Sequence, residues 1–198
     1  EHRPAAKAPD QATGGPARRP RIGLLALTLE LYETLSPGRR ASREAWLRRK
    51  VIAGVESRVD VLFTRAVFRR EDIEATVAGY EAAGADALLV ILGTYSPSQL
   101  SVPALQRTRL PILLWNTQEL RAVGPTFTPA DMIDNHGVHG TQELANVLMR
   151  SGVPFHYVTS PDNDSRGIEE LADFFVAAAA VKRLRSARIG LMGYPFPG

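Results

Sequence analysis

Residues 134–140 read DNHGVHG, so two of the four histidines of this 198-residue chain, His136 and His139, stand three apart between glycines. Asp131 and Asp134 lie just before them. Imidazole and carboxylate together are ligands for a divalent metal. The same imidazoles suit a second use, donating to or accepting from the hydroxyls of a bound molecule. His-x-x-His in a loop is a loose metal pattern, and no glutamate follows the first histidine as in H-E-x-x-H. At a helix N-terminus the helix dipole would hold a nearby imidazole neutral. At the level of these residues both readings stay open.

Other groups with chemical potential follow short apolar runs. LELYE after residue 28 offers Glu30, Tyr32 and Glu33, and GTYSPSQ offers Thr94, Tyr95 and Ser96. NTQEL begins at Asn116, TSPDNDS at Thr159, and GYPFPG, with Tyr194 and Phe196, ends the chain. Aromatic faces beside amides, hydroxyls and imidazoles fit a polyhydroxylated ligand such as a sugar. No G-x-G-x-x-G, no G-x-x-x-x-G-K-[ST] and no G-x-S-x-G occurs, which argues against dinucleotides, P-loop nucleotides and α/β-hydrolase chemistry. His156, inside an apolar run, reads as a packed core residue.

The elements that must position these groups alternate strand and helix. Strands are expected at 21–28, 59–67, 86–93, 110–116, 153–160 and 187–194. The helices between them begin near Ser42, then cover a stretch with Ile73, Val77 and Tyr80 inward, about 98–107, a stretch after Gly140, and about 167–184. Leu47, Val51 and Val55 mark one apolar face of the first helix, and Gly84 suits the left-handed terminus of the second. A long loop is expected from Thr117 to Gly140. Continuously apolar strands alternating with amphipathic helices predict an α/β fold: a doubly wound, mostly parallel sheet in three layers, flavodoxin- or Rossmann-like. In such sheets ligands bind beyond the carboxyl ends of the strands, where the loops named above converge.

Composition bounds the rest. The chain is 44% hydrophobic and 23% charged and contains no cysteine, which removes disulfides and thiolate chemistry. Its pI of 9.5 is carried mostly by residues 1–20, four basic and two acidic, while the remainder is nearly balanced. No aromatic-basic stripe marks a nucleic-acid surface, and no apolar run suits a membrane span or signal peptide, so a cytoplasmic protein is expected. Residues 1–20 read as a disordered tail, 21–186 as one Rossmann-like domain, and 187–198 as the truncated first strand of a second domain.

GTYSPSQL, LLWNTQEL and DNHGVHGTQELANVLMRSGVPF resemble, in order, motifs of the L-arabinose and L-fucose isomerases. ELADFFVAAAAVKRLRSARIGLMGYPFPG is similar to that superfamily's passage from its first domain to its second. The resemblance implies that this stretch supplies substrate-contacting loops: Leu31 and Tyr32 match the family's Q-x-L-Y, Tyr95 its T-F-S-P aromatic, and His136 and His139 its Q-S-A-H-G. Phe196 corresponds to an apolar residue after the sixth strand. Leu29 and His136 each stand where the family has Gln, which implies a different sugar preference. The implied reaction is aldose–ketose isomerisation with Mn²⁺ or a similar ion, its ligands downstream and no metal or catalytic residue within this stretch. A homo-oligomer sharing active sites is implied, with a pentose or 6-deoxyhexose as substrate. Alternatively, the chain is a non-catalytic flavodoxin-like sugar-binding or sensing domain.

Overall fold

The protein is described by a computed structural model covering residues 18–188 together with Gly190 and Gly193. β1 (Arg21–Leu27), β2 (Asp60–Leu62), β3 (Ala87–Leu92), β4 (Ile112–Asn116) and β5 (His156–Thr159) form one sheet in the order β2-β1-β3-β4-β5. All four pairings are parallel. This is the flavodoxin-like order, and the predicted doubly wound α/β class is what the chain adopts.

Alternation along the strands explains the layers. Ile22, Leu24 and Ala26 of β1, Ala87, Leu89 and Ile91 of β3, and Leu113 and Trp115 of β4 face one core. Leu25 and Leu27, Leu88, Val90 and Leu92, and Ile112 and Leu114 face the other. A strand exposes successive side chains to opposite faces, so residues apolar at every position must be covered twice. The first face is covered by α2 (Arg39–Trp46), a π-helical segment (Leu47–Ile52), α3 (Ala53–Val55) and α8 (Ser165–Ser186). The second is covered by α4 (Arg70–Ala82), α5 (Ser98–Arg107) and α7 (Gly137–Arg150). Fully buried Trp46, Trp115 and Phe175 anchor the first core, each aromatic side chain contributing up to about 3 kcal/mol of transfer free energy.

Several local expectations are corrected. Leu29 to Leu35 is not plain loop: Glu30–Leu35 forms α1, so Tyr32 projects from a helical turn. The 117–140 connection contains α6 (Pro129–Asp134), started by a capping box in which Thr128 and Asp131 satisfy each other's backbone N–H. The helix begun near Ser42 starts at Arg39 and widens to π geometry at Leu47–Ile52; Leu47, Val51 and Val55, spaced by four, are all buried. β2 is three residues long, continued only by an isolated bridge between Leu27 and Val67.

His156 is not core. Its side chain is 42% exposed and pairs with Glu170 at 3.0 Å, while its ring stacks on Phe174. The reason is position: β5 is an edge strand, and only Val158 of its four residues is buried. Of the expected sixth strand, Ala187 and Arg188 are non-strand, and most of the remainder, with Tyr194 and Phe196, lies outside the described residues. No helix among the described residues is long and apolar enough to cross a membrane.

Candidate functional site

In the order β2-β1-β3-β4-β5, chain direction across the sheet switches between β1 and β3, which opens a crevice above their carboxyl ends. Tyr32 enters it from α1 after β1, and Tyr95 from the turn after β3. His136, the N-cap residue of α7, lies between them. Tyr32 Oη and His136 Nδ1 are 2.9 Å apart. The Tyr95 ring centroid is 5.6 Å from that of His136, and His136 meets His139 edge to face at 4.8 Å. Four of the residues singled out in the sequence therefore form one continuous cluster. Leu31 is 54% exposed on the turn that carries Tyr32 and is not part of the hydrogen-bonded cluster.

Two glycines set how close α7 comes to the sheet. A Cβ on Gly137 would lie 2.1 Å from the Leu92 carbonyl oxygen, and one on Gly140 would lie 2.4 Å from Leu92 Cδ2. The first turn of α7 therefore rests directly on the end of β3, and the histidines flanking Gly137 are brought to Tyr95. Asn135 closes the preceding turn, accepting from Leu120 N at 2.8 Å and donating to Asp131 O at 2.7 Å.

The sequence reading missed Glu143. Its Oε2 accepts from Tyr95 Oη at 2.7 Å, and its Oε1 accepts from Ser98 N at 3.0 Å and Ser98 Oγ at 2.6 Å. The signal was present: His136, His139 and Glu143 are spaced by three and four, which puts them on one face of a helix. Burial alone would raise the Glu143 carboxyl, but the bonds from Ser98 and Tyr95 outweigh it and hold it below its ordinary value. Its carboxylate in turn pushes the Tyr95 phenol up. Tyr32 is also raised, by burial. His136 is lowered, first by burial and then by the neighbouring His139. Two reluctant phenols and an imidazole that resists protonation thus make a hydrogen-bonding surface backed by one carboxylate, that of Glu143.

Also missed were two arginines of α2 that hold the histidine loop. Arg39 pairs with Asp134 at 2.7 Å. Arg43, 1% exposed, donates to Asp134 O at 2.9 Å, pairs with Glu119 at 2.5 Å and lies over the Trp46 ring. These contacts occupy several of the groups that a metal reading of the loop would use. Asp131 is committed to its cap and Asp134 to arginine, while His136 Nδ1 is engaged by Tyr32. Among the described residues no group of three His, Cys, Asp or Glu side chains is arranged to hold a metal ion.

Beside the histidines a cleft of about 390 Å³ is lined in part by Leu120, Val123, Phe127, Met132, His136 and His139. Three cavities are larger: those of about 750 and 560 Å³ involve the opposite, amino-terminal side of the sheet, around Leu110 and Pro111 at the entry to β4, and one of about 640 Å³ is lined by Phe63, Thr64 and Tyr80 beside β2 and α4. The first of these holds Phe155, His156 and Phe174, but none includes Tyr32, Tyr95, His136 or His139.

No family model matches the chain. Over 117 residues it is 28% identical to an L-arabinose isomerase of Acidothermus cellulolyticus (strain ATCC 43068 / DSM 8971 / 11B), a match spanning 57% of this chain and 23% of that protein. The chain thus aligns with less than a quarter of the isomerase's length. A solved structure, described as a gut microbial diltiazem-metabolizing enzyme, covers 82% of this chain and 47% of its own at 11% identity and a TM-score of 0.38. That score carries no functional argument.

Proposed function

We propose that this chain is the sugar-contacting portion of an aldose–ketose isomerase of the L-arabinose isomerase type. The observation that carries the reading is the cluster of Tyr32, Tyr95, His136 and His139 at the switch-point crevice. The distant identity to an L-arabinose isomerase points the same way. In this reading Tyr32 donates to His136 Nδ1, leaving the ring proton on Nε2 to face a ligand hydroxyl. Tyr95, whose own proton is held by Glu143, offers its oxygen as an acceptor and its ring as a stacking face. Leu31 and Phe196 would complete the contacts, Phe196 lying outside the described residues.

A pentose or 6-deoxyhexose is the expected ligand, and His136 in place of the family's Gln is where its preference would diverge. A divalent ion such as Mn²⁺ would supply stabilisation of the enediolate oxygens. The residues described here do not fit such an ion, so its ligands and the proton-transferring carboxylate would come from elsewhere in a longer protein. Active sites shared between subunits belong to the same proposal.

The test is a calorimetric or NMR titration of the chain with L-arabinitol and L-fucitol. Saturable binding that Tyr95→Ala weakens about tenfold or more, with the fold intact by circular dichroism, supports the reading. Binding unaffected by Tyr95→Ala and by His139→Ala would overturn it. The isolated chain should show no isomerase turnover with or without Mn²⁺; turnover would relocate the catalytic groups into this chain.

A further inference from the structure

The two clefts of about 750 and 560 Å³ at the amino-terminal side of the sheet join into one groove. They share Arg109, Leu110 and Pro111 at the entry to β4, and one side of α8 walls both. Phe174 lines the first cleft and Ala178, Val181 and Arg185 the second, at spacings of four, three and four that belong to one helix side. From Phe174 to Arg185 that wall runs roughly 16 Å along the helix axis. Its two ends differ in chemistry. At one end His156 stacks on Phe174 with ring centroids 5.4 Å apart, and half-buried Phe155 adds a third ring. The other end carries Arg107, Arg109, Lys182 and Arg185 against Glu81 and Asp86. The groove lies across the sheet from the tyrosine–histidine crevice and is independent of the sugar reading.

Most of the charges around the groove are already matched. Asp86 accepts from Arg18 and from Arg21 N and pairs with Lys182. Arg107 pairs with Glu74, and Glu170 with His156. Glu81 accepts from Thr108 Oγ1 at 2.6 Å and Arg109 N at 2.9 Å, and feels the Arg109 guanidinium only from beyond ion-pair distance. The carbonyls that follow α4 have their cations too: Arg21 donates to Ala83 O, and Lys182 to Gly84 O and Ala85 O. What is left over is two guanidinium groups, those of Arg109 and Arg185. Both residues are exposed, and among the described residues neither side chain makes an ion pair or a hydrogen bond.

An occupant that completes this groove has a flat ring at one end and negative charge at the other, with a polar spacer between them. Aromatic side chains hold a base by stacking, whatever its hydrogen-bonding edge. A guanidinium grips a phosphate through paired N–H donors. Gln106 and Ser151, whose side chains make no hydrogen bonds among the described residues, line the first cleft and offer partners to the hydroxyls of a spacer. Helix carbonyl ends at this side of the sheet repel an anion, so the arginines must hold it. A nucleoside diphosphate carries these parts in this order. We propose that the groove is a nucleotide site, with the base beside His156 and Phe174, the α-phosphate at Arg109 where the clefts meet, and the β-phosphate toward Arg185. No glycine-rich loop is required, because side chains rather than backbone amides take the phosphates.

The experiment is calorimetric titration of the 198-residue chain with ADP, and separately with adenosine and with inorganic phosphate. ADP should bind saturably at one site, and each half-ligand about tenfold or more weaker. Arg109→Met and Phe174→Ala should each weaken ADP by about tenfold or more, with unchanged circular dichroism, while Tyr95→Ala leaves it unchanged. Should Phe174→Ala fail to fold, Arg109→Met and Arg185→Met, both at exposed positions, decide. No saturable binding of ADP overturns the proposal. ADP held no tighter than phosphate overturns it too, since the rings then take no part. ADP binding indifferent to both arginine substitutions places the nucleotide elsewhere and ends the case for this groove.

Discussion

At the scale of single residues, the site is a run of hydrogen bonds and ring contacts from side chain to side chain. Tyr32 holds His136, His136 touches Tyr95 and His139, and Glu143 holds Tyr95 and Ser98. The histidine makes this arrangement sensitive to pH. His136 titrates below its ordinary value of 6.5 in the folded protein, so the unfolded chain binds the proton more readily. Its contribution to stability is complete above that ordinary value and is lost as pH falls from there toward the lower folded value. Protonation would also turn Nδ1 from an acceptor into a donor and break its present pairing with a donating Tyr32. Polyol affinity should therefore fall as pH passes through the lower folded value, and an NMR titration of the His136 ring should give a midpoint below 6.5; a midpoint at or above it would refute the argument. Glu143→Gln removes the charge that raises Tyr95, so ultraviolet titration should show one tyrosine moving back toward 10.0.

At the scale of elements, α7 decides where the histidines stand, and its glycines decide where α7 stands. Gly137→Ala puts a methyl group into the Leu92 carbonyl, and the required backbone shift should cost about 3 kcal/mol. Gly79→Ala, in α4, meets nothing within 4 Å and removes only a helix-interior glycine, so it should add about 0.5–1 kcal/mol. Urea unfolding of both variants checks the pair, and equal effects would show that the close approach has no energetic weight. The arginines of α2 act at this scale as well. Arg43→Met keeps much of the volume against Trp46 but frees Glu119 and the Asp134 carbonyl. It should cost about 2 kcal/mol, and amide exchange should rise in the 117–136 connection first.

At the scale of the whole molecule, both ends of the described chain are tied to the start of β3 through one carboxylate. Asp86, 1% exposed, accepts from Arg18 Nη2 at 2.9 Å and Arg21 N at 2.8 Å and pairs with Lys182 of α8 at 3.2 Å. Burial works to raise it, but the Arg21 amide, Lys182 and Arg18 together hold it below its ordinary 3.8. The sign is therefore the reverse of a raised carboxylate: its stabilisation is complete above 3.8 and disappears as pH falls through the lower folded value. Asp86→Asn should lower the melting temperature at neutral pH, with the gap to wild type closing in strong acid. An unchanged melting temperature at neutral pH would show that the tie is ornamental.

Much of this was legible in the chain itself. Apolar runs that bury every side chain, such as ALLVIL in β3, announce a strand covered on both faces, and their alternation with helical periods fixes the α/β class. The carboxyl-end rule then selects Tyr32, Tyr95, His136 and His139 before any coordinate is known, because local pattern sets which loop each occupies. What only the tertiary structure decided is partnership. That Glu143 serves Tyr95, that α2 arginines engage Asp134, and that His156 sits on an open edge all depend on contacts across 14 to 95 residues. Local periodicity cannot encode which distant polar group a side chain meets, since that follows from strand order and helix packing, and these are settled only when the whole sheet closes its two cores.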